Sequence, residues 1–323
     1  MPTKYLLTGV TGGLGAQVLD TMLKVHGVAS SSIIATSRSE SKRSEFESLG
    51  FHFRVADYND PPTLEIAFQN VENLLFMSSS TRDNATRNRE HRNVVNAAGT
   101  ARVGKVWYVS LAFGGFGDGS KIGFQQAHYE TENLLKHSGL DFVSLRAGIY
   151  ADAFPLFLNW YPSSTSVLLP DITPHVNESK IAWTSRSELG EGIAALLAKG
   201  LEAFPSIRPQ TEKNIVLLTS LETQPLTALV DAINQANWTN IPVRILEPEA
   251  WIEACSKDDE GGKERAWFEA RLVFTQGICD GDAAAVDSAL ETLLGRQPET
   301  GTQTVSRLLK QDPEYTWHQN HAR

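Results

Sequence analysis

Residues 4–15 read KYLLTGVTGGLG, a short apolar run that ends in glycines at positions 9, 12 and 15. The run Tyr5–Thr8 has the length of a buried strand, and apolar residues recur at helical spacing from Gly13 to His26. A glycine-rich turn between a strand and a helix directs backbone N–H groups and the helix dipole toward an anion. The stretch therefore predicts a Rossmann-type domain that binds the pyrophosphate of a dinucleotide.

The three glycines have separate predicted roles in this turn. Gly9 permits the tight turn, Gly12 lets the backbone approach a pyrophosphate, and Gly15 allows the helix to pack close to the sheet. The GxxGxxG spacing is weak support when it stands alone, but a second strand at Ile33–Thr36 follows the helix at the expected distance. The complete strand–turn–helix–strand pattern therefore supports dinucleotide binding.

Strand-like and helical segments continue to alternate through the first half of the chain. Further strands are predicted at His52–Ala56, Asn73–Met77, Lys105–Ser110 and Asp141–Arg146, and helices at Lys42–Leu49, Pro62–Phe68, Arg87–Gly99 and Ala127–Ser138. This alternation predicts an α/β fold in which helices cover both faces of a doubly wound parallel sheet.

The alternation breaks after Tyr150, because residues 151–180 contain three prolines and many aromatic residues. A helix at Glu188–Lys199 and a strand at Ile215–Thr219 then follow, and short helices dominate from 222 onward. The polar segment Ser256–Lys263 is interpreted as a mobile loop. The predicted organisation is a dinucleotide-binding domain and a smaller, mostly helical C-terminal substrate lobe, with bounds of 1–152 (completed by 181–221) and 153–180 plus 222–323.

Composition excludes several other classes of function. The net charge of the 323 residues is −9 and there is no run rich in lysine and arginine, which argues against a nucleic-acid partner. No apolar run approaches the ~20 residues of a membrane span, and the N-terminal segment does not read as a signal peptide, so we expect a cytoplasmic protein without a membrane partner. Cys255 and Cys279 are far apart and are expected to be free thiols, with no metal site. A monomer or weak dimer is the default expectation.

The end of the second predicted strand indicates which dinucleotide is bound. Enzymes that use NAD commonly place an acidic residue about 20 residues after the glycines, to bind the ribose hydroxyls. Residues 35–39 read ATSRS and contain no acid. Arg38 instead offers a planar cation for a 2′-phosphate, with Lys42 and Arg43 close behind. The predicted cofactor is therefore NADPH.

Taken together, the motifs resemble those of the NmrA-like group of atypical short-chain dehydrogenases/reductases. The motifs are TGVTGGLG (8–15), TSR (36–38), VADYND (55–60), LLFMSSS (74–80), HRNVVNAA (91–98), YVSLA (108–112), HYETENLL (128–135) and LRAGIY (145–150). The stretch DSALETLLGRQPET at 287–300 is similar to a C-terminal signature of the NADPH:quinone oxidoreductase-type members. The resemblance covers most of the chain.

The resemblance implies where the cofactor lies. Its phosphates are expected on the turn, which contains Gly9, Thr11, Gly12, Gly13, Leu14 and Gly15, and its 2′-phosphate on Arg38. Met77, Ser78 and Ser79 are expected along the ribose on the nicotinamide side, and the segment 147–150, with Gly148 and Tyr150, beside the nicotinamide. Asp57 and Tyr58 either border the adenine or, in the case of Asp57, cap the next turn.

Short-chain dehydrogenases typically combine a serine on the fifth strand with Tyr-x-x-x-Lys on the following helix, where the lysine lowers the tyrosine pKa. Ser110 and Tyr129 occupy the first two positions, but Asn133 replaces the lysine and carries no charge. The resemblance offers His128, with its near-neutral pKa, as a substitute proton donor. Alternatively, the proton comes from water. Glu132, on the same predicted helix, is interpreted as part of a solvated face.

The start of the lobe is rich in aromatic residues. Phe154, Phe157 and Trp160 follow the nicotinamide-side segment directly, and family members place their substrate cleft here. We therefore expect a hydrophobic, aromatic small-molecule substrate, with Asp152 or His175 as a polar group that orients it.

The leading hypothesis is an NADPH-dependent reductase of a hydrophobic quinone, enone, imine or ketone, in specialised metabolism, in which His128 or Tyr129 handles the proton. Two alternatives stay open at this point. A non-catalytic NADP(H) sensor is favoured by Asn133 in place of the lysine, and a non-redox cyclase would keep the cofactor and use acid–base chemistry on a bound aromatic compound.

Overall fold

The computed structural model describes residues 3–173 and 176–320, so His175 lies outside the described residues. Its central sheet has seven strands, and every pairing in it is parallel. The strands are β1 (Thr3–Leu7), β2 (Ile33–Ser37), β3 (His52–Val55), β4 (Val71–Met77), β5 (Lys105–Leu111), β6 (Phe142–Ala147) and β10 (Ile215–Leu218). The shorter strands are β7 (Ile149–Tyr150), β8 (Val167–Pro170), β9 (Trp183–Thr184) and β11 (Val243–Leu246). The predicted α/β class and doubly wound sheet are confirmed.

The strand order is β10-β6-β5-β4-β1-β2-β3. The chain leaves β1 toward β2 and β3 on one side, and returns to place β4, β5 and β6 on the other. The order therefore reverses between β1 and β4, and in open parallel sheets a ligand binds beyond the carboxyl ends of the strands at such a switch point. The turn at residues 9–15 lies there.

Helices cover both faces of this sheet. One face packs against α1 (Gly13–Lys24), α2 (Arg43–Ser48), α7 (Arg186–Lys199) and α11 (Ala289–Leu294), and the other against α3 (Pro61–Ala67), α4 (Asn84–Thr100) and α5 (Gly123–His137). The apolar faces of these helices pack against buried side chains of the strands. This packing keeps water from the backbone hydrogen bonds of the sheet.

The remaining helices, which form most of the lobe, pack around buried apolar clusters, one of which also includes Phe113 and Trp183. They are α6 (Phe154–Leu158), α8 (Leu226–Asn237), α9 (Pro248–Ser256), α10 (Arg265–Cys279) and α12 (Gly301–Gln311). Among the described residues, none of the helices has the length and apolar character needed to cross a bilayer.

The prediction of a mobile loop at Ser256–Lys263 is wrong. The side chains of Asp259 and Lys263 are each 1% exposed and form an ion pair of 3.1 Å. Lys263 also donates to the backbone oxygen of Asn320, at 2.7 Å, and Tyr161 accepts from the backbone N–H of Gly261. These bonds fix the polar segment against the C-terminal part of the chain, with Asp259 and Lys263 paired.

Candidate active site

The turn after β1 has the geometry that its glycines predict. Gly9 has a positive φ of 68°, and the backbone N–H of Gly12 donates to the carbonyl of Gly9 at 2.9 Å. A Cβ on Gly15 would lie 2.2 Å from that same carbonyl oxygen, so only glycine allows α1 to start this close to the strand. Thr11 and Gly12 are exposed at the turn, so the N-terminus of α1 is open to an anion.

The remaining residues of the turn divide between surface and core. Gly13 is exposed, whereas the side chain of Leu14 is buried in the sheet core. Leu14 can therefore face a cofactor only through its backbone.

An arginine that the sequence analysis did not single out lies against this turn. A Cβ on Gly13 would be 2.3 Å from Nη1 of Arg186, the first residue of α7. The guanidinium also lies 4.9 Å from the ring centre of Trp317, and its Nε is 3.9 Å from Oδ1 of Asp152. Nothing in the local sequence signals this contact, because Gly13 and Arg186 meet only through the packing of α1 on α7.

Asp152 contributes to the position of that arginine. Its Oδ2 accepts a hydrogen bond of 2.8 Å from the backbone N–H of Arg186, and its side chain is buried. The carboxylate therefore satisfies a free N–H at the start of α7 and stands beside the guanidinium.

Three cations follow β2, and they differ in what they pair with. Lys42 pairs with Glu45 at 2.8 Å, and Arg43 pairs with Glu40 at 2.5 Å. Arg38 is exposed and has no ion pair or hydrogen bond with any residue in 3–173 or 176–320. Its guanidinium is thus available at the end of the strand next to β1.

The loop that follows β4 is held by α4. The backbone N–H of Ser79 donates to Nε2 of His91 at 2.9 Å, and Ser79 Oγ donates to Glu90. Because Nε2 accepts a hydrogen bond from an amide, the imidazole is neutral with its hydrogen on Nδ1, which lies 2.7 Å from Oγ1 of Thr131. Burial lowers the pKa of His91 to about 3, which agrees with a neutral ring.

Met77, Asp57 and Tyr58 also lie at this edge of the sheet. The backbone N–H of Met77 donates to Oγ1 of Thr8 at 2.9 Å, which ties the end of β4 to the end of β1. Oδ1 of Asp57 accepts from the backbone N–H of Asn59 at 2.9 Å, which is the turn-capping role that the sequence left open. The hydroxyl of Tyr58 donates to the carbonyl of Met77 at 2.8 Å.

Ser110 lies at the end of β5 with its side chain fully buried. Its hydroxyl donates to Oε1 of Glu132 at 2.8 Å, and Ser144 donates to the same oxygen at 2.7 Å. Glu132 is itself 0% exposed and pairs with Arg146 at 2.6 Å. The interpretation of Glu132 as part of a solvated face is therefore wrong, because a cation on β6 and two hydroxyls stabilise its charge inside the protein.

Tyr129 also makes an internal hydrogen bond. Its hydroxyl donates to the carbonyl of Phe113 at 2.8 Å, and the guanidinium of Arg146 lies 5.0 Å from its ring centre. Burial raises the pKa of Tyr129 to about 12, which is opposite to the change that the lysine of a short-chain dehydrogenase produces. Asn133, at the position of that lysine, is exposed.

His128 is buried next to a second tyrosine. Nδ1 of His128 lies 2.7 Å from the hydroxyl of Tyr108, and the two rings are 5.8 Å apart. Burial holds the pKa of His128 well below its usual value. The ring of His91 is 6.4 Å away, so the two imidazoles belong to one buried aromatic layer between β5 and α4.

The segment after β6 approaches its neighbours closely. A Cβ on Gly148 would lie 2.2 Å from Oγ1 of Thr184, and the backbone N–H of Gly148 donates to the carbonyl of Leu218 at 2.8 Å. Tyr150 is partly buried, and its ring lies 6.4 Å from that of Trp317. Trp317 thus contacts both Tyr150 and Arg186.

An aromatic group joins the end of β5 to the lobe. Phe113 lies 5.1 Å from Phe274, which lies 5.5 Å from Phe157, and Phe157 lies 5.0 Å from Trp183. We call these four residues the aromatic wall.

The predicted substrate residues are not all brought together. Phe157 is part of the aromatic wall, whereas Phe154 and Trp160 pack on each other at 5.4 Å in the lobe core. Asp152 lies near Arg186. Phe113 and Phe274 were not singled out from the sequence, although an aromatic residue directly after β5 was a usable signal.

Comparisons with known proteins agree with this geometry. Residues 9–156 match a family model described as NAD(P)H-binding. The chain is 40% identical over 322 residues to the NmrA-like family domain-containing oxidoreductase flvB of Aspergillus flavus, and the match covers 99% of each chain. The chain belongs to the NmrA-like family. It is an NAD(P)H-binding oxidoreductase, and the predicted family is confirmed.

A further known protein and two solved structures are also similar to this chain. Quinone oxidoreductase 2 of Escherichia coli is 34% identical over 194 residues, which cover 60% of this chain and 63% of that protein. Its structure in complex with NADPH has a TM-score of 0.77 at 26% identity, covering 94% and 99% of the two chains. The triphenylmethane reductase of Citrobacter sp., complexed with NADP(H), has a TM-score of 0.79 at 25% identity, covering 94% and 99%.

Proposed function

We propose that this protein is an NADPH-dependent reductase of a hydrophobic, aromatic small molecule, of the quinone, enone, imine or ketone type. The observation that carries the proposal is the aromatic wall, which begins at Phe113 beside the carboxyl end of β5 and continues into the lobe. Apolar rings beside the carboxyl end of a strand in a nucleotide-binding sheet are suited to a flat, apolar substrate. The names of two similar proteins, a quinone oxidoreductase and a triphenylmethane reductase, support the same substrate class.

The cofactor part of the proposal rests on the turn and on two guanidinium groups. The exposed N-terminus of α1 and Arg186 would hold the pyrophosphate, since both lie at Gly13. Arg38 would hold the 2′-phosphate, because it follows β2 and has no partner among the described residues. A guanidinium at that place favours NADPH over NADH.

The chemistry needs one hydride, which bound NADPH supplies, and one proton. Ser110 donates to Glu132, Tyr129 donates to Phe113, and Nδ1 of His128 is bonded to Tyr108. Each of these candidate groups already has an internal partner, and the two with a shifted pKa are shifted away from neutral pH. We therefore propose that the proton comes from water. In the case of a quinone, hydride and proton together give the quinol.

The test is turnover by the purified protein with NADPH and a panel of neutral naphthoquinones, enones, cyclic imines and aryl ketones, followed at the nicotinamide absorbance band. We expect NADPH to be consumed with at least one apolar acceptor, at a higher kcat/KM than with NADH. Tight NADPH binding without consumption by any acceptor would overturn the proposal, and so would product formation that consumes no NADPH.

A further inference from the structure

Arg271 has an unusual environment for a charged side chain. It lies on α10, and its Cζ is 4.3 Å from the ring centre of Phe274, 4.6 Å from that of Phe157 and 5.8 Å from that of Trp267. The guanidinium is therefore surrounded by three aromatic rings. Burial lowers the pKa of Arg271 to about 9, and the group is still cationic at neutral pH.

The guanidinium of Arg271 donates to no protein acceptor in the part of the chain that the structure describes. No hydrogen bond or ion pair joins it to any residue in 3–173 or 176–320. Other cations nearby are paired: Arg265 on the same helix contacts Glu249 at 2.6 Å, and Lys263 contacts Asp259 at 3.1 Å. Burying a charge without compensating hydrogen bonds costs free energy, so the acceptor oxygens of a ligand would be stabilised at this guanidinium.

The rings beside Arg271 are those of the proposed substrate site. Phe157 and Phe274 are two members of the aromatic wall, and Phe274 contacts Phe113 directly after β5. Arg271 therefore stands on the lobe side of the wall, away from the sheet. A substrate lying along these rings with one end toward β5 would have its other end near the guanidinium.

We propose that Arg271 binds a carboxylate on the substrate, so that the reductase prefers an apolar acid to a neutral compound of the same kind. The inference rests on the proposed function and names the substrate class of the same site. Rings against the face of a guanidinium leave its N–H edge free, and that edge matches the two oxygens of a carboxylate. The aromatic wall then receives the apolar body of the same molecule.

The kinetic experiment compares two naphthoquinones with NADPH: menadione, which is neutral, and 1,4-naphthoquinone-2-sulfonate, whose oxyanion stands in for the carboxylate. The enzymes are the wild type, Arg271→Met, Arg271→Lys and the control Arg265→Met, which removes a surface charge from the same helix. Because the two quinones differ in intrinsic reactivity, the informative quantity is the ratio of kcat/KM between wild type and variant for each quinone.

In Arg271→Met we expect kcat/KM for the sulfonate to fall at least about tenfold more than for menadione. Arg271→Lys should recover part of that loss, since it restores the charge but not the planar edge. Arg265→Met should change the two quinones equally. The inference is overturned if Arg271→Met affects both quinones to the same extent, or affects neither.

A binding measurement keeps this test separate from the proposed function. Titration calorimetry of the NADPH complex with 2-naphthoate and with 2-naphthalenemethanol needs no turnover. We expect wild type to bind the naphthoate more tightly than the alcohol, and Arg271→Met to lose that difference. Equal binding of the two ligands by wild type would overturn the inference while the reductase proposal stands, whereas carboxylate selectivity without NADPH consumption would overturn the reductase alone.

Discussion

Individual side chains at the ends of β4, β5 and β6 form more hydrogen bonds inside the protein than the sequence motifs suggest. Tyr129, at the position of a short-chain dehydrogenase tyrosine, gives its hydroxyl hydrogen to a backbone carbonyl. Ser110 is tied to a buried carboxylate in the same way. Both motif residues are thus present, but they form internal hydrogen bonds. The hydroxyl of Tyr129 holds the loop after β5, and that of Ser110 stabilises the buried charge of Glu132.

Tyr129→Phe tests whether that phenol is part of the chemistry. We expect kcat to stay within about threefold of wild type, whereas removal of a general acid lowers rates about 10²–10⁴-fold. The lost bond to Phe113 should lower the free energy of unfolding by about 1 kcal/mol. Thermal unfolding and steady-state kinetics on the acceptor that wild type reduces best measure the two effects. A large loss of kcat in a folded variant would reinstate the tyrosine as proton donor.

Arg38→Ala tests the preference for NADPH. The variant should lose one charge-assisted contact to the 2′-phosphate, which raises the Kd for NADPH about 10–100-fold and leaves that for NADH nearly unchanged. Fluorescence titration with both dinucleotides gives the two constants. Lys42→Ala is the matched control, because Lys42 is already paired with Glu45. Equal weakening for both dinucleotides would show that Arg38 does not contact the phosphate.

At the scale of elements, the packing of α1 on α7 creates a contact that no local pattern reveals. Arg186→Met should weaken NADPH and NADH by a similar factor, about tenfold or more, because the pyrophosphate is common to both. That outcome differs from the selective effect expected at Arg38. The control is Arg296→Met, an exposed cation that pairs with Glu191. If Arg186→Met binds both dinucleotides as tightly as wild type does, the guanidinium of Arg186 does not reach the phosphates.

The contact between α4 and the loop after β4 predicts a pH dependence of stability. The pKa of His91 is about 3 in the folded protein against 6.5 as its ordinary value, so the unfolded chain binds more protons between these limits. Stability is therefore complete above about pH 6.5 and falls as the pH drops toward 3, by up to ~1.4 kcal/mol per pH unit for this group.

His91→Gln can accept from the N–H of Ser79 without titrating. We expect it to flatten the fall in unfolding free energy between pH 6.5 and 4, measured by urea unfolding at each pH, whereas the exposed His52→Gln should not. If the unfolding free energy of His91→Gln falls with pH as steeply as that of wild type, the imidazole of His91 does not titrate as the geometry requires.

The sequence predicted those elements whose signals are local. The turn at Gly9–Gly15 is an example, because strand, glycine spacing and helix are contiguous. Helix α4 begins at Asn84, three residues before the predicted start at Arg87. The side chain of Asp83 caps the helix by accepting from the N–H of Thr86, and this start signal is missing from the sequence-based prediction.

Glu132 shows why other features could not be predicted. On a helix, a glutamate beside other polar residues indicates an exposed face. Its burial depends on Arg146, which reaches it from a neighbouring strand. Likewise, the sequence does not show that Arg271 and Phe274 contact Phe157, because these contacts form only when α10 packs beside it. Such pairs are set by tertiary packing, which single-sequence periodicity does not contain.

At the scale of the whole molecule, the chain returns to the sheet several times. β10 adds a seventh strand beside β6, and the C-terminal segment brings Trp317 to Arg186 while Asn320 contacts Lys263 in the lobe. The last residues described by the structure therefore contact both the nucleotide-binding sheet and the lobe. The proposed substrate and cofactor sites meet where these parts converge, at the carboxyl ends of β1, β4 and β5.

In the proposed reaction, hydride passes directly from NADPH to a substrate carbon at this place. The most direct test is a reaction with NADPH deuterated at C4 of the nicotinamide, using an enone, imine or ketone that the protein reduces, with the product analysed by mass spectrometry and NMR. We expect deuterium from one face of C4 to be retained on the reduced carbon of the product. A product that carries no deuterium from either face would contradict direct hydride transfer.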